Sequence, residues 1–476
     1  MKTNLVLTTA PVQLSERYGN FSSAANTEPS FGLACLASTA QRAGANVSII
    51  ESSSQNLTLE QAFTKIVSKN PDIVGISATT AGIVAAGKLA QKIKQYNVKI
   101  YCIIGGCHVT ALPKSTLEEF PDFDLAVVGE GEQTLEELLF FFDKNKRMPE
   151  NTDGTAIRIN HRIVINKSRD MIQDLDKLPL PAWSLIPGFP YAYRPSPARI
   201  KRWPCASIVL TRGCPNKCSF CDRSVFGQFC RGYSTEYSIR MIKELRYQFG
   251  VKEILIEDDT FIINRNKVKD FCEKIINEKI DVTWSCLGRV DRVTPKLLKL
   301  MKKAGCWHIS YGIESGDPAL LKRMKKNINL NQIREALIWS KQAGLRTKGF
   351  FIVGFPYESE YSLKLTRSLA KSLPLDDISV MQLTPFPGSE LYNIAKFCGT
   401  FEQDWKKMNT LNTVFIPNGF SKFDIERARS LMIKEFYLRP KLFLNLFIHI
   451  VNNPRLIIPI VKILPDFLKI IQKGKK

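Results

Sequence analysis

The chain has 476 residues, 44% of them hydrophobic and 24% charged, a composition typical of folded globular proteins rather than of disordered or membrane-spanning ones. Single cores rarely exceed about 250 to 300 residues, so this length predicts two domains. The formal net charge is +22, yet residues 1–150 hold 13 Lys and Arg against 15 Asp and Glu, so the positive charge lies downstream. A basic C-terminal region suits an anionic substrate, nucleic acid or an acidic membrane surface, although a solvated lysine-rich surface explains it equally well.

The start of the chain, MKTNLVLTTAPV, lacks the apolar h-region of a secretory signal. We therefore expect a cytoplasmic protein. In that reducing compartment clustered cysteines indicate a metal centre rather than disulfides.

Short apolar runs alternate with helical patterns over residues 1–148, beginning with NLVLTTA, FGLACLASTAQRAG and NVSIIES. The alternation predicts an open, doubly wound α/β fold, with helices on both faces of a parallel sheet. Ligands of such sheets bind beyond the carboxyl ends of the strands. The predicted strand ends carry polar residues and glycines that allow a ligand to approach closely, namely Ser77, Thr79, Gly105, Gly106, Gly129, Glu130 and Gly131. No G-x-G-x-x-G follows the first strand, which argues against a nicotinamide dinucleotide.

Residues 149–204 are rich in proline and aromatics without sustained periodicity, and we interpret them as an ordered connector. Over residues 205–400 the alternation of strands and helices resumes, with six predicted strands. Barrel enzymes carry their chemistry at the C-terminal ends of such strands. The loop after the first of these strands, RGCPNKCSFCDR, holds three cysteines, Cys214, Cys218 and Cys221.

Three clustered thiols without a fourth partner do not suit a structural zinc site, which takes four ligands. A four-iron cluster also normally takes four thiolates, so three leave one iron open to another ligand. We expect the chemistry at that open iron. The other cysteines of this half are expected to be buried small residues rather than ligands of a second cluster: Cys205, Cys230, Cys272, Cys286, Cys306 and Cys398.

The spacing CxxxCxxC, with Phe220 before the last cysteine, resembles the cluster loop of the radical S-adenosylmethionine (radical SAM) enzymes. The resemblance implies a partial six-stranded barrel and a [4Fe-4S] cluster held by Cys214, Cys218 and Cys221. It also implies that S-adenosylmethionine (SAM) binds the open iron and is cleaved to a 5′-deoxyadenosyl radical. The segments IEDDTF, CLGRV, GIESG and GFFIVGFP stand where the family contacts SAM, which together with Phe220 implies contacts from Asp258, Asp259, Arg289, Glu314 and Gly354.

The segments DIVGISATT, IIGGCHVTALP and LAVVGEGEQTLEELL resemble the cobalamin-binding domain that precedes the barrel in one radical SAM branch. The resemblance spans about residues 1–145. It implies a cobalamin site formed by Ser77, Thr79, Gly105, Gly106, His108, Gly129 and Glu130. The D-x-H-x-x-G signature, whose histidine ligates cobalt from below, is absent, so we expect cobalamin to bind without that ligand. His108 stands elsewhere, in GGCHVT, and is either a contact or a polar loop residue near it.

This architecture resembles cobalamin-dependent radical SAM methyltransferases and the anaerobic magnesium-protoporphyrin ester cyclase. We favour a methyltransferase acting on an unactivated carbon of a lipid-like or natural-product substrate, with oxidative cyclisation as the alternative. A transfer RNA methylthiotransferase would need N-terminal cysteines for a second cluster, and this half has only Cys35, Cys102 and Cys107. No side chain is assigned as a catalytic acid or base.

Residues 401–476 predict a helical C-terminal region that is basic and apolar. Its apolar runs are interrupted before the about 18 to 20 residues needed to cross a bilayer. We expect this region either to lie in a membrane interface, as a peripheral contact, or to pack on the barrel. The expected partners are a small-molecule substrate and an electron donor such as flavodoxin or ferredoxin, with no nucleic acid.

Overall fold

The computed structural model describes residues 2–18, 27–160, 162–195 and 199–440. Within those ranges the first sheet has seven strands: β1 (Asn4–Thr9), β2 (Asn46–Ile50), β3 (Ile73–Ser77), β4 (Tyr101–Gly105), β5 (Leu125–Val127), β6 (Thr155–Ile159) and β7 (Arg162–Ile165). They lie in the order β2-β1-β3-β4-β5-β6-β7, with the first five parallel and the last two antiparallel. The order 2-1-3-4-5 confirms the predicted doubly wound fold, in which ligands bind where the strand order reverses, between β1 and β3.

Helices cover both faces of this sheet: α1 (Leu14–Tyr18), α2 (Phe31–Arg42), α3 (Leu59–Val67), α4 (Ile83–Tyr96), α5 (Cys107–Ala111), α6 (Pro113–Glu119) and α7 (Gly131–Asn145). Alternate residues of β1 enter opposite cores, because side chains along a strand point to opposite faces. Leu5 and Leu7 pack in one core with α2 and α7, whereas Val6 packs in the other with α3 and α4. A strand that is apolar on both faces must be covered twice, which is why this sheet lies between two helical layers.

The segment 149–204, predicted to be a connector, begins with two strands that the sequence analysis did not predict. β6 and β7 lie inside that segment and pair with the first sheet. We propose that the first unit continues through Ile165 rather than ending at residue 148. Within the described part of this segment Trp183 is buried, and its ring stacks on Phe189 at 5.0 Å between centroids.

The second large sheet is a parallel array of six strands in the described part of the chain. A short antiparallel ribbon, β9 and β10, follows its first strand. The strands of this half are β8 (Cys205–Ile208), β9 (Thr211–Arg212), β10 (Arg231–Gly232), β11 (Glu253–Ile256), β12 (Thr283–Gly288), β13 (Cys306–Glu314), β14 (Arg346–Val353), β15 (Asp377–Gln382), β16 (Gly399–Phe401) and β17 (Phe415–Pro417). The large sheet runs β8-β11-β12-β13-β14-β15, and no pairing between β15 and β8 is present among these residues. The predicted open, six-stranded partial barrel is confirmed.

Each strand of the partial barrel is followed by a helix whose start is set by a capping side chain. The helices of this half are α8 (Thr235–Lys243), α9 (Arg265–Asn277), α10 (Pro295–Lys303), α11 (Pro318–Arg323), α12 (Leu330–Gln342), α13 (Glu360–Ser372), α14 (Glu390–Cys398) and α15 (Lys422–Tyr437). Asn329, Ser359 and Ser421 form capping boxes at α12, α13 and α15. Such caps satisfy backbone N–H groups that have no partner inside the helix.

The C-terminal helix α15 covers the free edge of the partial barrel at β15. Ile425, Met432 and Phe436 enter the core, and the Arg429 guanidinium Nε donates to the Val380 carbonyl at 3.0 Å. An uncovered edge strand would invite pairing with another chain, so α15 protects the sheet. No helix in the described ranges is long and apolar enough to cross a bilayer. Residues 441–476, on which the prediction of a membrane contact falls, lie outside the described residues.

Candidate active site

Loops at the carboxyl ends of the two sheets meet between the two halves. After β5, the Glu130 carboxylate accepts a hydrogen bond from Arg212, at the base of the cysteine loop, at 2.8 Å. Before α2, Glu28 forms an ion pair of 3.1 Å with Arg199 of the connector. The strand ends predicted to carry the two sites therefore lie against each other.

The cysteine loop runs from Gly213 to Cys230, and the β9–β10 ribbon closes it. Gly213 has φ +85°, and a Cβ at this position would lie 2.3 Å from the Phe229 carbonyl oxygen, so only glycine fits. The middle of the loop is anchored at Ser219, whose N–H donates to the Met324 carbonyl at 3.1 Å. The Ser219 carbonyl in turn accepts from the Leu391 N–H at 3.0 Å.

All three predicted thiols lie on this loop. Asn216 donates through Nδ2 to Cys214 Sγ at 3.2 Å, and the thiols of Cys218 and Cys221 are hydrogen-bonded to each other. The hydrogen bond from Cys221, together with the cations of Lys326 and Arg289, lowers the pKa of Cys218 to about 6, whereas the pKa of Cys221 is raised by the same bond. Thiolates are the form that binds metal, so the surroundings suit an iron–sulfur cluster.

Three thiols on one loop are the donor set that the resemblance assigns to the cluster. No three His, Cys, Asp or Glu side chains among the described residues converge as ligands of one metal ion would. A four-iron cluster spreads its thiolates over separate irons, so three thiolates would leave one iron for another ligand.

A buried ion pair between Lys326 and Glu314 lies beside Cys218. Of these two residues, only Glu314 was predicted as a site residue. Lys326 Nζ is 2.6 Å from Glu314 Oε1 and 5.9 Å from the Phe220 ring centroid. Burial alone would lower the pKa of Lys326, but the Glu314 carboxylate and Cys218 outweigh it, so the pKa is raised and the amine keeps its charge. Glu314 ends β13 with φ +65°, a strained backbone for a non-glycine residue. In the sequence Lys326 stands in RMKKNIN, a segment that the sequence analysis did not single out.

Arg289 belongs to the same cluster of side chains. Its guanidinium Nε donates to Asp291 at 2.9 Å, and Nη2 donates to the Lys326 carbonyl at 3.0 Å. The structure thus brings together three predicted SAM contacts, Phe220, Arg289 and Glu314, around Lys326, which the sequence analysis missed.

The predicted aspartate pair is divided between two environments. Asp258 is fully buried, and it accepts hydrogen bonds of 2.7 Å from the Leu210 N–H and the Thr211 hydroxyl. Burial raises its pKa to about 7. Asp258 thereby fastens the start of the cysteine loop to the end of β11, while Asp259 is exposed. Only Asp259 presents its carboxylate to solvent.

Gly354 forms a tight turn after β14. It has φ +85°, and its N–H donates to Glu358 Oε2 at 2.5 Å. Burial raises the pKa of Glu358 to about 7. Gly354 is buried, and a Cβ at this position would lie 3.4 Å from the Ile425 side chain of α15.

A cavity of about 320 Å³ lies between the first sheet and helices α2 and α7. Five of the predicted cobalamin contacts line it, namely Ser77, Gly105, Gly106, Gly129 and Glu130. Val209 and Arg212, just before the cysteine loop, and Val225 and Phe226 within it also line the cavity. Its floor is apolar, with Leu7, Leu33 and Ile103. An apolar cavity of this kind can take part of an organic cofactor. This agrees with the resemblance of the first unit to the cobalamin-binding domain.

A second cavity, of about 780 Å³, lies over the ends of β1 and β3. Ser77 lines both cavities, so they adjoin at the end of β3, and Thr79 lines only the larger one. The larger cavity also has basic side chains, Arg17, Lys88 and Lys406. None of the loop cysteines and none of the predicted SAM contacts line it, so it lies apart from the cluster site.

His108 lies outside the linings of both cavities. It is buried, and its ring packs edge-on against Trp405 at 4.9 Å. Burial lowers its pKa to about 4, and Nδ1 has no hydrogen-bond partner among the described residues. The cavity geometry gives no support to the predicted contact between His108 and cobalamin.

The remaining cysteines of the second half do not extend the cluster site. Cys205, Cys272, Cys286 and Cys306 are buried, whereas Cys230 and Cys398 are partly exposed. Burial raises the pKa of Cys205 to about 12, which keeps it a thiol.

Two family models match the chain. The Radical SAM superfamily model matches residues 208–370, which include the cysteine loop and the strands from β11 to β14. The B12 binding domain model matches residues 19–139, which include the cavity-lining glycines Gly105, Gly106, Gly129 and Gly131.

Similar proteins span both matched regions. An uncharacterized methyltransferase of Pyrococcus horikoshii is 34% identical over 422 residues, which cover 88% of this chain and 90% of that protein. The anaerobic magnesium-protoporphyrin IX monomethyl ester cyclase of Rubrivivax gelatinosus is 29% identical over 386 residues, covering 80% and 68%. The structure of the cobalamin-dependent SAM radical enzyme OxsB, with aqua-cobalamin and SAM bound, superposes with a TM-score of 0.74 at 17% identity and 91% coverage of this chain. The chain spans 66% of that structure's length, just under two thirds.

Proposed function

Because this chain belongs to the radical SAM superfamily, in the branch with a cobalamin-binding domain, we propose that it methylates an unactivated carbon of a small-molecule substrate. Family membership brings a [4Fe-4S] cluster, SAM and cobalamin as cofactors. When bound, these groups supply a carbon-centred radical and a transferable methyl group.

One observation carries the proposal. The cysteine loop forms a wall of the cavity in the first unit, through Arg212, Val225 and Phe226. A radical must meet its target and the methyl source in one water-poor space, so the two cofactor sites have to adjoin. The loop and cavity of this chain do adjoin.

The chain's own residues hold and orient these groups. Cys214, Cys218 and Cys221 hold the cluster. We assign the buried pair of Lys326 and Glu314 to the polar end of SAM, because a fixed pair of charges orients an amino acid group. Of the two predicted aspartates, Asp259 is the one free to contact SAM, since both oxygens of Asp258 are engaged.

Arg289 and Gly354 complete the proposed SAM site. The Arg289 guanidinium donates to Asp291 and to the Lys326 backbone, and this fixes the loop that carries the lysine. Gly354 is assigned to the adenine end of SAM from the resemblance of GFFIVGFP to the family's fifth-strand motif. The cavity glycines Gly105, Gly106 and Gly129 admit cobalamin.

The substrate is proposed to be lipid-like or a natural product. The larger cavity, of about 780 Å³, has room for a drug-sized molecule. The apolar and basic composition of residues 441–476 supports delivery from a membrane interface. The proposed electron donor is a flavodoxin or ferredoxin, and the cytoplasm remains the predicted location.

Oxidative cyclisation is the second candidate, because the similarity to the magnesium-protoporphyrin ester cyclase covers 80% of this chain. A methyltransferase consumes two SAM molecules for each product, one yielding 5′-deoxyadenosine and methionine and the other yielding S-adenosylhomocysteine. A cyclase yields no S-adenosylhomocysteine.

Product analysis separates these functions. The full chain is reconstituted anaerobically with iron, sulfide and hydroxocobalamin, then given SAM and a strong reductant, with Cys218→Ala as the control for uncatalysed breakdown. We expect both 5′-deoxyadenosine and S-adenosylhomocysteine from the wild type, the latter no more than the bound cobalamin can accept because no methyl acceptor is added. The control should form no 5′-deoxyadenosine, since that product requires the cluster, whereas methylation of its cobalamin can still release S-adenosylhomocysteine. Formation of 5′-deoxyadenosine alone would contradict methyl transfer and favour cyclisation.

A further inference from the structure

Glu130 has a different environment from that expected of a ligand contact. It stands between Gly129 and Gly131 at the start of α7, where its side chain does not cap the helix. One carboxylate oxygen accepts from Arg212 Nη1 at 2.8 Å. The other accepts from Arg231 Nη1 at 2.8 Å and from the Ile172 N–H at 2.9 Å.

The two arginines stand at the two ends of the cysteine loop. Arg212 in β9 pairs directly with Arg231 in β10. The Glu130 carboxylate of the first unit therefore contacts both β9 and β10, the two strands that flank the loop with the cluster cysteines. The remaining donors of the arginines are also engaged, since Arg212 Nη2 donates to Glu132 at 2.6 Å and Arg231 donates to the Ile172 carbonyl at 2.7 Å.

This network is buried. The exposed fractions of the side chains are 4% for Glu130, 4% for Arg212 and 8% for Arg231. A buried charge without its partner is costly, so the carboxylate and the guanidinium groups fix one another's positions. Charge-assisted hydrogen bonds, one from each arginine to a different oxygen of Glu130, add directional control.

The same residues form part of the 320 Å³ cavity. Glu130 and Arg212 both line it, and so does Phe226, whose ring lies 5.4 Å from the Arg212 guanidinium. Arg231 also donates to the Phe226 carbonyl at 3.1 Å. A molecule that fills the cavity therefore contacts the ion-pair network and the cysteine loop at once.

We propose that Glu130 is a positioning residue that couples cobalamin binding in the cavity to cluster assembly on the loop. The inference rests on the proposed function for the identity of the two groups. Cobalamin and the cluster each order the ion-pair network of Glu130, Arg212 and Arg231 when they bind. Each therefore raises the affinity of the chain for the other. Such coupling is reciprocal, because it is a free energy shared between two sites.

The test measures the dissociation constant of hydroxocobalamin for the full chain with and without a reconstituted cluster. We expect the cluster to tighten binding in the wild type by at least about fivefold, the lower end of common coupling factors. In Glu130→Gln, which keeps the size of the side chain but loses its charge, the ratio should fall to about one. Glu136→Gln is the matched control, since Glu136 lies on the same helix in an exposed pair with Arg42, and it should keep the wild-type ratio.

A lower unfolding temperature of Glu130→Gln with an unchanged ratio would show a merely structural role and overturn the proposal. A wild-type ratio of one would overturn it as well, while leaving the proposed function intact. Absence of hydroxocobalamin binding to the wild type would overturn both. If Glu130→Gln does not fold, Arg231→Gln removes one stem contact and keeps the pair of Glu130 with Arg212, and its ratio must still fall.

Discussion

The three loop cysteines could be predicted from their spacing, but their electrostatic environment could not. Lys326 is twelve residues from Glu314 along the chain, and no sequence pattern indicates that a lysine in KKNIN enters a buried site. Its burial depends on how the chain folds back after β13, which places Lys326 next to Glu314. For the same reason Asp258 and Asp259, which are adjacent, were treated as equivalent although only one is exposed.

Replacing Cys218 with alanine should abolish cluster assembly and SAM cleavage, because two thiolates do not hold a four-iron cluster. Iron and sulfide per chain after reconstitution are the measurement. Cys398→Ala, a change at a partly exposed thiol on another helix, is the matched control and should keep the wild-type iron content. A full iron content in Cys218→Ala would show that the cluster lies elsewhere.

Replacing Lys326 with glutamine should weaken SAM binding by at least about tenfold and also destabilise the protein. The lone Glu314 carboxylate would then be buried without a partner, which costs about 3–5 kcal/mol. The double change Lys326→Gln with Glu314→Gln should recover stability but not SAM affinity. Equilibrium dialysis with SAM and thermal unfolding measure the two effects, and unchanged SAM affinity in both variants would refute the assignment.

Glu358 should make stability depend on pH. Burial raises its pKa from 4.5 to about 7, so the folded state binds more protons than the unfolded state between these values. Stability therefore falls as pH rises from about 4.5 to about 7, by at most about 3 kcal/mol from this group. Glu358→Gln should flatten the pH profile of the unfolding free energy, whereas Glu360→Gln, at an exposed position, should not. Identical profiles for all three proteins would contradict the burial of this carboxyl group.

At the scale of elements, the alternation of apolar runs predicted the five parallel strands of the first sheet and the six strands of the second. Most of these strands are largely buried and rich in apolar residues, whereas β15 alternates between buried and partly exposed positions. β6 and β7 were missed because each is short, and β7 is largely exposed at the sheet edge. Edge strands carry little hydrophobic signal, and their pairing is decided by neighbours that the sequence does not name.

The geometry of the cysteine loop makes Gly213 indispensable. In Gly213→Ala the new Cβ would lie 2.3 Å from the Phe229 carbonyl, and the positive φ adds about 1–2 kcal/mol. We expect loss of most iron after reconstitution, because the β9–β10 ribbon has to open. Gly419→Ala is the matched control, since its φ is also positive, at +88°, but no atom lies within 4 Å of the new Cβ. Equal iron contents in the two variants would mean that the loop tolerates the clash.

At the scale of the whole molecule, the sequence predicted two units but not how they meet. The pair of Glu130 and Arg212 joins residues 82 positions apart, and Trp405 reaches back to donate to Glu119 at 3.0 Å. Such contacts leave no periodic pattern, so the shared wall of cavity and loop appears only in three dimensions. The larger cavity likewise combines the ends of β1 and β3 with Lys406 and Asn409 from the other end of the chain.

The central claim is that one chain holds the cluster and cobalamin side by side. The most direct measurement is electron paramagnetic resonance of the full chain loaded with both groups, with the cobalt as Co(II) and the cluster reduced. Because the cysteine loop forms a wall of the cavity, we predict that the two signals broaden and relax faster together than in samples carrying either group alone. Two full-strength signals without mutual broadening would show that the groups lie far apart, and this would contradict the account.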